Sequence, residues 1–370
     1  MKTKEQKIIE FDINAPATHD SNIYGLPFTE QESSIVIIPV PWEVTVSYKS
    51  GTARAPEAIK KASLQVDLFD ADVKDAWKNG IFLLPINKKW KLEAKQLRKK
   101  AERVIDCLST GKKGKSAELK KLTKEINEAG INLKNWVKNQ ALTQINNGKL
   151  PALLGGDHST PLGFLEALAE KNPSFGILQI DAHCDLRKAY EGFTYSHASI
   201  MYNALQIKQI TRLVQVGIRD FCQVEMDVAK QEGERIKIFF DHEIKRSLFE
   251  GYNWKNICDA IINSLPENVY ISFDIDGLEP SLCPNTGTPV AGGLNFEQAI
   301  YLIWKLATSG KKIIGFDLNE VAPKADEWDA NVGARLLYKL CNLMALSQTT
   351  RKIDLSALEN KWTVEKEMAD

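Results

Sequence analysis

The chain has 370 residues, with 48 Lys plus Arg set against 48 Asp plus Glu, so its formal net charge is zero. That balance excludes bulk electrostatic attraction to nucleic acid or an anionic membrane, and neither is expected as a partner. With 44% hydrophobic and 26% charged residues, no apolar run of the roughly eighteen residues a span needs, and Glu10 and Asp12 interrupting the short apolar stretch near the amino terminus, the composition is that of a globular protein expected in the cytoplasm.

Residues 1–33 are polar and irregular and are expected to form an arm lying on the body or on a neighbouring subunit. Apolar, β-branched runs follow at 34–39, 81–86, 152–154, 175–180, 213–216, 236–240, 269–273 and 313–316, with helical patterns between them at 161–170, 296–308 and 330–346. Continuous apolar runs bounded by turn residues suit strands buried on both faces, so the alternation predicts an α/β chain with a mainly parallel sheet under helices. The stretch 88–121, with GKKGK at 111–115, is strongly basic and helical in pattern. It reads as an insertion of two solvated helix faces joined by a Gly/Lys loop in preference to an anion-contact site. No Gly/Ser- or Pro-rich linker divides the chain, so residues 34–350 are expected to form one domain and 351–370 a tail. Six scattered cysteines without a C-x-x-C pair are expected to be reduced and structural.

The chemistry is concentrated at the ends of apolar runs. In LLGGDHSTP, residues 153–161, two glycines allow a sharp exit that presents Asp157 and His158 before a helix, which Thr160 and Pro161 suit as a start. In ILQIDAHCDLR, residues 177–187, Asp181, His183 and Asp185 lie two apart, so in extended backbone all three project from one face. VYISFDIDGLEP, residues 269–280, delivers Asp274 and Asp276 with the same spacing, and the run at 312–316 leads into Asp317, Asn319 and Glu320. One aspartate at a strand end ordinarily caps a helix or bonds turn amides. Four at the carboxyl edge of one sheet repel each other and pay for desolvation, and two divalent cations would cancel their charge. His158 and His183 add nitrogen donors, giving a mixed set suited to manganese, nickel or iron and unlike a thiolate zinc site. Because a carboxylate can bridge, six side chains are enough for a pair of ions about 3.5 Å apart.

The segments GGDHS (155–159), DAHCD (181–185), SFDIDGLEP (272–280), GTPVAGGL (287–294) and the strand ending at Asn319 and Glu320 resemble the ureohydrolases, the arginase and agmatinase family of binuclear metal enzymes that cleave guanidino groups to release urea. The resemblance implies a three-layer α/β/α arginase-like fold, a homo-oligomer (trimer or hexamer), and two divalent ions per chain, Mn2+ or Ni2+. Carried over by position, His158 and Asp185 would bind one metal, His183 and Asp276 the other, and Asp181 and Asp274 both, with Asp185 also accepting a hydrogen bond from the bridging hydroxide. His197, in YEGFTYSHASI (190–200), would be a proton shuttle near the substrate, and Glu320 would pair with the guanidinium. Glu279 stands where the family generally has aspartate, a change expected to alter turn packing more than activity.

The chemistry agrees with the resemblance. A guanidinium carbon is a poor electrophile, and two metals can lower the pKa of a shared water from about 15.7 towards neutrality. Glu320 could orient the cation by paired hydrogen bonds, and His197, with an ordinary pKa near 6.5, could protonate the leaving amine. No convincing set of groups for an amino acid head is present. The loop 39–59, with Trp42 and Glu43, aligns with an agmatinase segment that walls the pocket, and with NIYGLPF (22–28) it looks like agmatinase-like enzymes that hydrolyse free guanidine. Trp42 as an aromatic lid would suit a small planar cation, though the same ring could pack on the sheet. The expectation is a guanidine hydrolase (guanidine and water to urea and ammonia), with agmatinase (agmatine to putrescine and urea) or guanidinobutyrase as alternatives. A metal-binding, non-catalytic scaffold is the alternative from another class, and mononuclear zinc deacylases share the broad fold with a different ligand pattern.

Overall fold

The computed structural model describes residues 2–111 and 117–349; most of the Gly/Lys loop and the expected tail at 351–370 lie outside them. In chain order the elements are α1 (Lys4–Glu10), β1 (Ile35–Pro39), α2 (Ala55–Ser63), β2 (Ile81–Leu83), α3 (Lys88–Ser109), α4 (Ala117–Asn146), β3 (Leu150–Leu154), α5 (Leu162–Lys171), β4 (Phe175–Ile180), α6 (Ile200–Ala204), β5 (Ile210–Ile218), α7 (Gln223–Glu232), β6 (Ile236–Phe240), α8 (Asp241–Phe249), α9 (Trp254–Asn263), β7 (Asn268–Asp274), α10 (Phe296–Thr308), β8 (Lys312–Asn319) and α11 (Trp328–Thr349). Every apolar run of the sequence contributes a strand. The strands form an eight-stranded sheet in the order β2-β1-β3-β8-β7-β4-β5-β6, and each neighbouring pair is parallel.

Strand side chains alternate between two apolar layers, as a period of two requires. Ala152, Leu154, Leu178, Ile180, Ile271 and Phe273 face the layer closed by α2, α9, α10 and α11. Leu153, Ile177 and Tyr270 face the layer closed by α3, α4, α5 and α6. This is the three-layer α/β/α arrangement. No helix among the described residues is long and apolar enough to cross a membrane.

The two regions expected to be peripheral are built into these layers. In the amino-terminal arm Ile23, Tyr24, Leu26 and Phe28 are buried, and the Tyr24 hydroxyl donates to the Ala334 carbonyl at 2.9 Å. Helix α3 buries Trp90, Ala94, Leu97, Ala101 and Val104, and α4 buries Leu122, Ile126, Ala129, Leu133, Val137 and Ala141. That three- and four-residue spacing marks one apolar stripe per helix, with the lysines left on the outer face. The basic stretch is therefore part of one wall of the fold.

Candidate metal centre and cleft

The four central strands β3, β8, β7 and β4 are neighbours and parallel, so their carboxyl ends meet at one edge. His158 follows β3, Glu320 follows β8, Asp274 closes β7, and Asp181 follows β4. The exit from β3 requires its two glycines: a Cβ on Gly155 would lie 1.6 Å from Asn319 Oδ1, and one on Gly156 would lie 1.8 Å from the Trp42 carbonyl oxygen. Asp185 and Glu320 hold φ of 55° and 62°, left-handed backbone that costs about 1–3 kcal/mol at a non-glycine position and tends to persist at functional sites.

Ligand-bearing atoms converge in two groups that share Asp181: His158 with Asp181 and Asp185, and His183 with Asp181 and Asp276. His158 Nδ1 lies 3.1 Å from Asp181 Oδ2, 3.2 Å from Asp185 Oδ2 and 3.3 Å from Asp274 Oδ2. His183 Nδ1 lies 3.2 Å from Asp276 Oδ2. All six expected ligands therefore meet at one place. The buried atoms His158 Nδ1 and Asp276 Oδ2 have no hydrogen-bond partner among the described residues. Two inward-facing orphan atoms among crowded carboxylates are what divalent cations would satisfy, so the residues present fit the expected pair of ions.

Outer partners fix these side chains. His158 Nε2 is 2.8 Å from Ser272 Oγ, and Ser272 in turn donates to Asp317 Oδ1 at 3.2 Å, which leaves Nδ1 aimed at the cluster. Gln179 Nε2 donates to Asp181 Oδ2 at 2.8 Å, and the amides of Ala182 and Asp276 donate to Asp276 Oδ1 and Asp274 Oδ1. Burial and the Asp181 charge push Asp185 up to about 7. Burial, Asp276 and Asp181 raise Asp274 well above the usual carboxylate range. Burial opposes a charge on His158, but the carboxylates of Asp181, Asp185 and Asp274 outweigh it and raise the imidazole. The protein alone thus holds protons where four carboxylates crowd together.

Beside the cluster opens a cleft of about 250 Å³ that His183, Asp185 and His197 line, together with Ser47, Arg187 and Tyr190. Burial, then the charges of His183 and His158, push His197 down to about 3, well below its ordinary value near 6.5. Its imidazole is neutral at pH 7. Glu320 is buried and accepts the His158 amide at 2.8 Å, and burial with the charges of Asp274 and Asp157 raises it well above its ordinary range.

Trp42 is placed differently from the expected lid. Its ring is 2% exposed and stands edge-on to Trp90 with centroids 5.9 Å apart, inside the apolar layer of α3 and α4. An indole gains more by burying its area there than by facing a wet cleft, so this ring is a core residue. Its backbone is what reaches the site, since the Asp157 amide donates to the Trp42 carbonyl at 2.9 Å and Val44 donates to Asp157 Oδ2 at 3.2 Å. Glu43 accepts from Gly51, Thr52 and Ala53, which clamps the loop that carries Ser47. No local pattern marks Ser272, Gln179 or Arg187 as functional, although Gln179 and Arg187 lie within ILQIDAHCDLR and Ser272 opens SFDIDGLEP.

The chain matches the arginase family over residues 33–342. It belongs to that family. It is 30% identical to the N(1)-aminopropylagmatine ureohydrolase of Thermus thermophilus over 327 residues, which covers 88% of this chain and 95% of that protein. It is 26% identical to the agmatinase of Bacillus anthracis over 81% of this chain and 87% of that one. Among solved structures, the agmatine ureohydrolase of Thermoplasma volcanium superposes with a TM-score of 0.69 at 21% identity, over 90% of this chain and 96% of that one, a likeness of fold. This arginase-family chain is a ureohydrolase, acting on C–N bonds of linear amidines. The family depends on a binuclear metal centre, and the two groups are candidates to hold it.

Proposed function

We propose that this ureohydrolase acts on free guanidine, converting guanidine and water to urea and ammonia. The observation that carries this reading is the cleft: about 250 Å³ directly beside the cluster, below the roughly 300–1,000 Å³ of sites for drug-sized ligands. One wall is a loop that buried carboxylates hold rigid, at Glu43 and Asp157. The likeness of 22–28 and 39–59 to agmatinase-like enzymes that act on guanidine supports the same substrate.

His158 and Asp185 would hold one divalent ion, His183 and Asp276 the other, and Asp181 and Asp274 both. When bound, such a pair supplies the nucleophile by lowering the pKa of a shared water towards neutrality. Glu320, whose ionisation burial and the charges of Asp274 and Asp157 oppose in the protein alone, would pair with the guanidinium and orient its carbon. Asp185 would also accept a hydrogen bond from the attacking water. His197, neutral at pH 7, acts as a relay: its ring takes a proton from the solvent side of the cleft and passes it to the departing nitrogen.

Agmatine is the second reading, favoured by the likeness to an agmatinase and by the exposed Asp220 carboxylate in the cleft wall. Urea release from guanidine, agmatine and 4-guanidinobutyrate, measured with manganese-loaded and nickel-loaded protein, separates the readings. Guanidine should give the highest kcat/KM with at least one metal; a preference for agmatine with both removes the guanidine assignment.

A further inference from the structure

Arg187 lies in the cleft wall, two residues beyond Asp185. Its guanidinium stacks over the Tyr190 ring, 4.9 Å from the centroid, and its amide donates to the Ala198 carbonyl at 3.1 Å. Both ends of the residue are therefore tied to the loop that carries His197. The side chain is 36% exposed, and the one carboxylate within 4 Å among the described residues is Glu225, at 4.0 Å from Nε. Glu225 is already engaged, with Oε1 accepting the Leu186 amide at 3.1 Å and Oε2 the Cys222 amide at 3.0 Å. Besides Asp185, which belongs to the candidate ligands, the other acidic wall group is Asp220, 69% exposed and 3.9 Å from His183 Nε2, where water and salt screen it. The cleft thus presents an oriented cation that its surroundings only partly neutralise.

We propose that Arg187 is a specificity-determining residue that reads the charge of whatever follows the guanidino group. This deepens the substrate reading above and rests on the ureohydrolase activity. With the reacting group at the cluster, any tail leaves along the cleft past Arg187. A second cation there is repelled, a carboxylate is paired by the planar fork, and a substrate without a tail meets neither effect. Stacking on Tyr190 restricts the fork, so the charge cannot simply swing away.

The test is kcat/KM for guanidine, agmatine and 4-guanidinobutyrate with the metal-loaded parent and with Arg187→Gln, Arg187→Glu and Arg187→Lys. The ratio of agmatine to guanidine should rise about tenfold in Arg187→Gln, the scale of one partly screened charge contact. It should rise further in Arg187→Glu, through a lower KM for agmatine, and stay near the parent value in Arg187→Lys. The ratio of 4-guanidinobutyrate to guanidine should move the opposite way. A loss common to all three substrates, with the ratios unchanged, overturns the proposal and leaves Arg187 a structural residue. The parent's own preference for agmatine would bear on the substrate reading alone, because each variant is compared with the parent ratio.

Discussion

The candidate ligands stand at or a few residues beyond the ends of β3, β4 and β7, in turns tied to the sheet edge by backbone bonds such as those of Gly156 to the Val40 carbonyl and Asp181 to the Val216 carbonyl, whereas the cleft walls are loops that side chains from the α3 and α4 pair hold in place. Arg98 on α3 donates to the carbonyls of Val44 and Val46. Asn127 on α4 donates to the Gly192 carbonyl at 3.2 Å and accepts the Thr194 amide at 2.9 Å, bracketing the loop that leads to His197. The same loop packs Tyr195 so closely on α4 that a Cβ at Gly130 would lie 2.9 Å from it. Binding of ions and shaping of the substrate space are therefore separable. Changes on the sheet edge should strike the metal, and changes on the helix pair should strike turnover while leaving the metal in place.

The largest expected effect is at the shared carboxylate. Asp181→Asn should lower urea release at least about a thousandfold, some 4 kcal/mol at 1.36 kcal/mol per decade, and reduce bound metal measured by elemental analysis. Retention of full metal content and turnover would show that the sheet edge is not the reacting centre. Next comes Ser272→Ala, which removes the partner of His158 Nε2. Metal affinity should weaken about 10–100-fold, as losses of outer partners commonly do, and competition with a chelator of known affinity would measure it.

Asn127→Ala should act on the other half alone. With two loop anchors gone, kcat should fall about tenfold, within the range a misplacement of about 1 Å can cause, while metal content is unchanged. Loss of metal in this variant would erase the distinction between the two halves.

The smallest effect concerns pH. His197 is held near 3 in the folded metal-free protein against an ordinary 6.5, so between those values the unfolded chain binds the extra proton. Its contribution to stability is complete above about pH 6.5 and is lost as pH falls towards 3. In His197→Gln that component disappears, so denaturation midpoints between pH 7 and 4 should fall less steeply than in the parent. Parallel slopes would contradict the burial assigned to the ring.

The strand-end half of this comparison was legible in the sequence, and the wall half much less so. Continuous apolar runs marked every strand, and two-residue spacing marked Asp181, His183 and Asp185 as a group, but they converge from a turn beyond the end of β4, where Asp185 holds φ of 55°, and not from extended strand backbone. The Ser272 contact with His158 spans 114 positions, and the Asn127 contacts span 65 and 67; no local pattern announces such pairs. The helical period of 88–121 revealed amphipathic faces, not which loops they would hold. Trp42 was ambiguous for a physical reason: an indole serves a core and an aromatic lid equally well, and only packing against Trp90 decides. The shift of His197 likewise depends on burial and on two other imidazoles that folding brings near.

The most direct measurement is the number of Mn2+ or Ni2+ ions each chain binds at saturation, by equilibrium dialysis with elemental analysis. Six side chains gathered around Asp181 predict two ions per chain, and urea release that rises with the second. Saturation at one ion, with full turnover, would contradict the account.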